Sequence, residues 1–169
     1  SFDYWHNKTV IFLDTTQDNY GNAMSAWVEN SMGRPFKNIN RYHALRLLRI
    51  DDFDDLFHPE LILRAVSQTL EGLGLDLFEN PNLFFEIENS PLKNNDALCV
   101  AVDIPHEIHI IMQPVGGLLD LETLLHEVGH AAFLSSVDPS LPIEYRRLYR
   151  SSSLDESFAF LFMGLAENP

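Results

Sequence analysis

The order of apolar and polar residues changes character near residue 80. Before that point, apolar positions recur at helical spacing between Gly and Pro punctuation. The pattern predicts a helix from about Tyr20 to Met32, capped by Asp18 or Asn19 and stopped at Gly33-Arg34-Pro35. Asn40 can cap a second helix, Arg41 to about Ile50, and Pro59 opens a third, reading ELILRAVSQTLEGLG, with Gly72 and Gly74 as stop signals. The run Thr9–Leu13 (TVIFL) fits either a strand or a helix start. Asp51-Asp52-Phe53-Asp54-Asp55 lacks the alternation, central Gly and distal Glu of a Ca²⁺ loop, so it reads as a solvated acidic turn.

From Pro81 the period shortens. Leu83–Glu88, Leu98–Asp103 and Glu107–Gln113 read as strands, separated by the polar loop Asn89–Asp96 and a turn at Ile104-Pro105. In the third strand Ile108, Ile110 and Met112 share a face that should pack on helices. Glu107, His109, Ile111 and Gln113 share the other, which could border a cleft; His109 is either a substrate contact there or a solvent-facing strand histidine. After the turn Pro114-Val115-Gly116-Gly117 the helical period returns in Leu121–Ser136, with Asp120 as its expected N-cap and Asp138-Pro139 as its stop. Ser140-Leu141-Pro142 opens a short helix to about Tyr149, and Leu154–Ala166 forms a last helix, apolar almost all round and so expected to be buried. The whole is an α+β, mostly helical protein with a small antiparallel-containing sheet. Residues 1–80 form a helical scaffold segment and residues 81–169 a site-bearing segment, the two expected as one compact unit.

The Leu121–Ser136 helix carries the chemistry. It contains His126-Glu127-Val128-Gly129-His130, an H-E-x-x-H motif. Residues four apart share a helix face, so both imidazoles can point at one spot, and two neutral imidazoles there suit Zn²⁺ with the intervening Glu127 as a base. Leu121, Leu124, Leu125, Val128, Ala131 and Ala132 make an apolar stripe that leaves Thr123, His126, Glu127 and His130 largely off it. The bland alternative is an ordinary helix with two packing histidines. Gly129 costs about 1 kcal/mol inside a helix relative to Ala, which makes sense if something must approach the backbone closely.

Composition narrows the function. The 169-residue chain has a net charge of −14 and no basic cluster, which argues against a nucleic-acid partner. The lone Cys99 excludes an internal disulfide framework and fits a reducing compartment; with no signal peptide and no apolar run long enough to span a bilayer, a cytoplasmic protein without membrane contact is expected. The chain starts at Ser1 and stops at Asn168-Pro169, and is expected to be a piece of something longer. Oligomeric state is not legible.

A catalytic zinc site needs three protein ligands and an open position. The metzincin pattern fails, because Phe133 and Ser136 stand where Gly and His are required. Cys99 lacks the flanking signature of a deformylase-type ligand and reads as a small apolar strand residue. Glu156 remains the best candidate, a carboxylate on an apolar helix. Its rival role is a capping box with Ser153. Asp155 is expected to be a helix-start acid or a partner holding a histidine.

HEVGH followed by DESFAFLF resembles the gluzincin metallopeptidases of the thimet oligopeptidase and oligoendopeptidase F type, best from about Ala97 to Ala166. The resemblance implies a zincin-like fold, His126, His130 and Glu156 as zinc ligands, Glu127 as general base, and Glu107–Gln113 as a substrate-aligning edge strand. It implies hydrolysis of oligopeptides by a zinc-activated water, with Glu127 passing the proton to the departing amine. Those enzymes place their oxyanion-steadying Tyr and His residues beyond the third-ligand helix, where this chain has ended. Tyr145 or Tyr149 could donate instead, or could simply pack a short helix. A catalytically incomplete zinc- or peptide-binding fragment or homologue is the alternative.

Overall fold

The computed structural model describes residues 2–43, 51–90, 93, 97–147 and 152–166. By its contacts the chain divides into two compact units, residues 1–48 and 49–169.

In the first unit, α1 runs over Phe2–Met32. The expected start near Tyr20 is corrected: Asp18 and Asn19 lie inside the helix, and Thr9–Leu13 is helical. Residues 2–20 contain no Gly or Pro to interrupt it. The hydroxyls of Thr9, Thr15 and Thr16 donate back to the carbonyls of Trp5, Ile11 and Phe12, so these residues are accommodated without ending the helix. Gly33, at φ 62°, closes it by donating to the Glu29 carbonyl. Asn40 then caps as expected, its Oδ1 accepting from the amides of Tyr42 and His43. Residues 41–43 are helical, and the rest of the predicted Arg41–Ile50 helix lies outside the described residues.

The second unit is mixed α/β. A 3₁₀ turn at Asp51–Leu56 leads into α2, Pro59–Gly72, with Pro at its first position. Gly74, at φ 76°, ends α2 in a Schellman motif, with Leu75 donating to Leu70 and Gly74 to Glu71. Three strands follow: β1, Leu83–Ile87; β2, Leu98–Asp103; and β3, Glu107–Met112. The sheet order is β1-β3-β2, β1 parallel and β2 antiparallel to β3. β3 is therefore the central strand, and the expectation that it is the edge is corrected. Its Ile108, Ile110 and Met112 are buried as the alternation predicts, in one core with Ile62, Val66 and Leu70 of α2 and with the next helix. The compact unit that holds the sheet thus begins at Arg49 and includes α2, which the sequence pattern groups with the scaffold.

That next helix, α3, covers Leu118–Ser135 and buries Leu121, Leu124, Leu125, Val128, Ala131 and Leu134. Asp120 is not its N-cap, because the helix starts two residues before it. Asp120 instead reaches back from the first turn, accepting from the Val115 and Gly116 amides at 2.6 and 2.7 Å. Gly117, at φ 99°, has Asp54 Oδ1 in the space a Cβ would take. The short α4, Ile143–Arg147, and α5, Ser152–Met163, complete the unit.

The expectation that the last helix is buried all round is corrected. Only Asp155, Ala159 and Phe162 of α5 are buried, while Leu154, Phe160 and Leu161 are exposed. Its buried stripe lies on α3, where Gly129 makes room. A Cβ at Gly129 would stand 2.7 Å from the Ala159 Cα and 2.8 Å from the Phe158 carbonyl oxygen. Backbone-to-backbone contact of this kind is what the interior glycine of the motif allows. No helix among the described residues is long and apolar enough to cross a membrane.

Candidate metal centre

The close crossing of α3 and α5 brings their polar residues together. His126 and His130 stand one turn apart on α3, and their Nε2 atoms are 3.2 Å apart. Glu156, from the first turns of α5, places Oε2 3.7 Å from His126 Nε2 and Oε1 3.9 Å from His130 Nε2. One donor atom from each of the three residues lies within 4.8 Å of the others. Donors about 2.0 Å from a tetrahedral centre are separated by about 3.3 Å. The three groups are close to that spacing, and small side-chain rotations would close the difference. Among the described residues this is the one group of three His, Cys, Asp or Glu side chains arranged to hold a metal ion, and Cys99 is not in it.

His130 is held in an orientation that suits such a role. His130 Nδ1 is 2.7 Å from Asp155 Oδ1, and the Asp155 side chain is only 8% exposed. A buried carboxylate beside Nδ1 holds the proton there, which leaves the Nε2 lone pair facing the cluster. His126 Nε2, 3.2 Å away, can donate its proton to that lone pair, or give the proton up and share the spot with a cation. Asp155 is thus the histidine's partner rather than only a helix-start acid. The capping-box role of Glu156 does not hold, because Ser153 lies inside a helix that already runs from Ser152.

Glu127 faces the same region from α3. Burial pushes its carboxyl above the ordinary glutamate range, against the opposing pull of His130, His126 and a hydrogen bond from the Cys99 backbone. Cys99 is on β2, so the strand beside this carboxylate is the outer strand β2 and not β3.

The remaining predicted residues do not join the cluster. His109 is on the sheet face opposite the buried Ile108 and Ile110, so the mixed face of β3 does not border the cleft. Its ring lies between Glu86 Oε1 at 2.8 Å and Glu107 Oε1 at 3.1 Å, stacked on Phe84. Those two carboxylates raise its pKa above the ordinary imidazole value, although desolvation opposes them. Tyr145 is exposed on α4, and Tyr149 lies outside the described residues.

Two participants escaped the sequence. One is the Cys99 amide, a backbone group that no residue type encodes. The other is Phe160, whose ring meets the His126 imidazole edge-on at 5.1 Å. Its position four residues after Glu156 was the available signal, the same spacing that pairs the histidines.

In comparisons with protein-family models, curated proteins and solved structures, none matches the chain.

Proposed function

We propose that the chain is a zinc-dependent metallopeptidase acting on oligopeptides, with a zincin-like arrangement of α3 beside the outer strand of the sheet. The observation that carries this reading is the convergence of His126, His130 and Glu156 from two helices, with Glu127 alongside. A His₂Glu donor set with a neighbouring glutamate is the composition of a hydrolytic zinc site. It also agrees with the gluzincin resemblance of HEVGH and DESFAFLF. Zinc held by these three side chains would supply a Lewis acid and a bound water of lowered pKa.

The chain's own residues do the rest. Asp155 accepts the His130 Nδ1 proton and fixes the ring so that Nε2 is the donor atom. Glu127 takes the proton of the attacking water and returns it to the departing amine; its place beside both histidines on α3 positions it for that exchange. The Cys99 amide steadies the ionised carboxylate. β2, an outer strand among the described residues, runs beside Glu127 and would line the path of an extended peptide. The substrate is a peptide rather than a nucleic acid, in keeping with the net charge of −14. The lone Cys99 supports a reducing, cytoplasmic setting.

The test is hydrolysis of a mixed quenched-fluorescence peptide library by the purified chain. Cleavage that stops with a chelator, returns with zinc and is absent in Glu127→Gln is the expected result. Cleavage unaffected by Glu127→Gln would remove the mechanism. Zinc binding without any cleavage would assign the chain to the binding-only alternative.

A further inference from the structure

If this centre cuts peptides, a residue beside it must choose among them. The inference that follows rests on the assignment above. Phe160 lies one turn beyond Glu156 on the same side of α5. One edge of its contact is fixed: ring centroids of Phe160 and His126 are 5.1 Å apart with planes at 78°. The rest is open, since Phe160 is 60% exposed while Phe162, two residues on, is 7% exposed in the core. The helix therefore buries Phe162 in the core, packs the partly exposed Phe158 against Phe133 and leaves Phe160 beside the cluster. The Glu156 side chain is also 53% exposed, so the mouth of the cluster lies on this side. Glu127, hydrogen-bonded by the Cys99 amide, lies beside the same cluster. A peptide entering the mouth meets the exposed face of Phe160 beside the cluster.

We propose that Phe160 determines specificity, selecting peptides with an apolar side chain on a residue flanking the scissile bond and rejecting acidic ones. An apolar side chain laid on the ring removes both surfaces from water. An acidic one gains nothing from the ring and would have to give up its hydration to lie on it.

The experiment compares peptides identical except for Leu or Asp at each position flanking the cleaved bond. Two readouts are taken: the Leu-to-Asp ratio of kcat/KM in otherwise wild-type protein, and equilibrium binding of the same labelled peptides to zinc-loaded Glu127→Gln. The wild type should favour Leu in both. Phe160→Ala should lower the preference by about tenfold, as for loss of one apolar subsite contact, and Phe160→Lys should turn it toward Asp. The zinc content of each variant is measured in parallel, so that a lost metal is not mistaken for a lost preference. Should both variants keep the wild-type preference, in cleavage and in binding, Phe160 does not select. A wild type that cleaves no peptide in the library would remove the peptidase assignment and this inference together.

Discussion

Replacing Gly129 with alanine separates two physical accounts of the motif helix. By helix propensity alone the change stabilises, by about 1 kcal/mol. By packing it destabilises. The new Cβ would stand 2.7 Å from the Ala159 Cα, 2.8 Å from the Phe158 oxygen and 3.1 Å from the Ala159 nitrogen. All three are backbone atoms, so no side chain can swing away. Carbon atoms prefer separations of about 3.5–4.0 Å, which requires α5 to retreat from α3 by about 1 Å. Overpacking of this kind costs about 1–3 kcal/mol, leaving a net loss of up to about 2 kcal/mol after the propensity gain. The consequence for the site is larger than for the fold. α5 carries both Asp155 and Glu156, and the same retreat would stretch the 2.7 Å bond to His130 beyond hydrogen-bonding range. Zinc affinity should therefore fall by at least about tenfold. Urea denaturation of the metal-free protein and a zinc competition titration measure the two effects. Gly72→Ala is the control, since nothing lies within 4 Å of the added Cβ. A Gly129→Ala protein as stable as the wild type, with unchanged zinc affinity, would refute the account of the crossing.

Three further outcomes follow from the same structure. Asp155→Asn keeps the volume but no longer enforces a protonated Nδ1 on His130, and should weaken zinc binding by about 10–100-fold in a chelator competition assay; unchanged affinity would mean that the Asp155 contact does not orient the ring. The raised pKa of Glu127 means that the folded metal-free protein holds this proton more tightly than the unfolded chain does. Stability should fall as pH rises from the ordinary glutamate range through the raised folded value, and denaturation midpoints of Glu127→Gln should lack that fall. His109 has the same sign at higher pH: with its pKa raised by Glu86 and Glu107, its stabilising contribution is complete below the ordinary imidazole pKa of about 6.5 and is lost as pH rises through the folded value. His109→Gln should flatten that part of the stability profile without altering zinc binding.

Much of the site was legible because its chemistry repeats at helical spacing. His126, Glu127 and His130 are fixed by the motif, and the apolar stripe of α3 tells which way they face. Glu156 and Asp155 needed more than spacing, because their approach depends on Gly129 and Ala159 meeting backbone to backbone. The three strands were readable to within a residue or so at each end from alternation. Their order was not, since alternation does not say that β1 and β3 run parallel with β2 outside. That is why β3 looked like the strand bordering the cleft, and His109 like a substrate contact. The start of α1 was misplaced for a local reason. Asp18 and Asn19 resemble caps, but a cap acts only where the preceding residues cannot continue the helix, and residues 2–17 can.

The central claim is that His126, His130 and Glu156 jointly hold one divalent ion. Calorimetric titration of zinc into the metal-free chain tests it most directly. One equivalent should bind to the wild type and to Glu127→Gln, with binding severely weakened in His126→Ala, His130→Ala and Glu156→Ala alike. Zinc binding of the same stoichiometry and affinity in all three ligand variants, or none in the folded wild type, would contradict it.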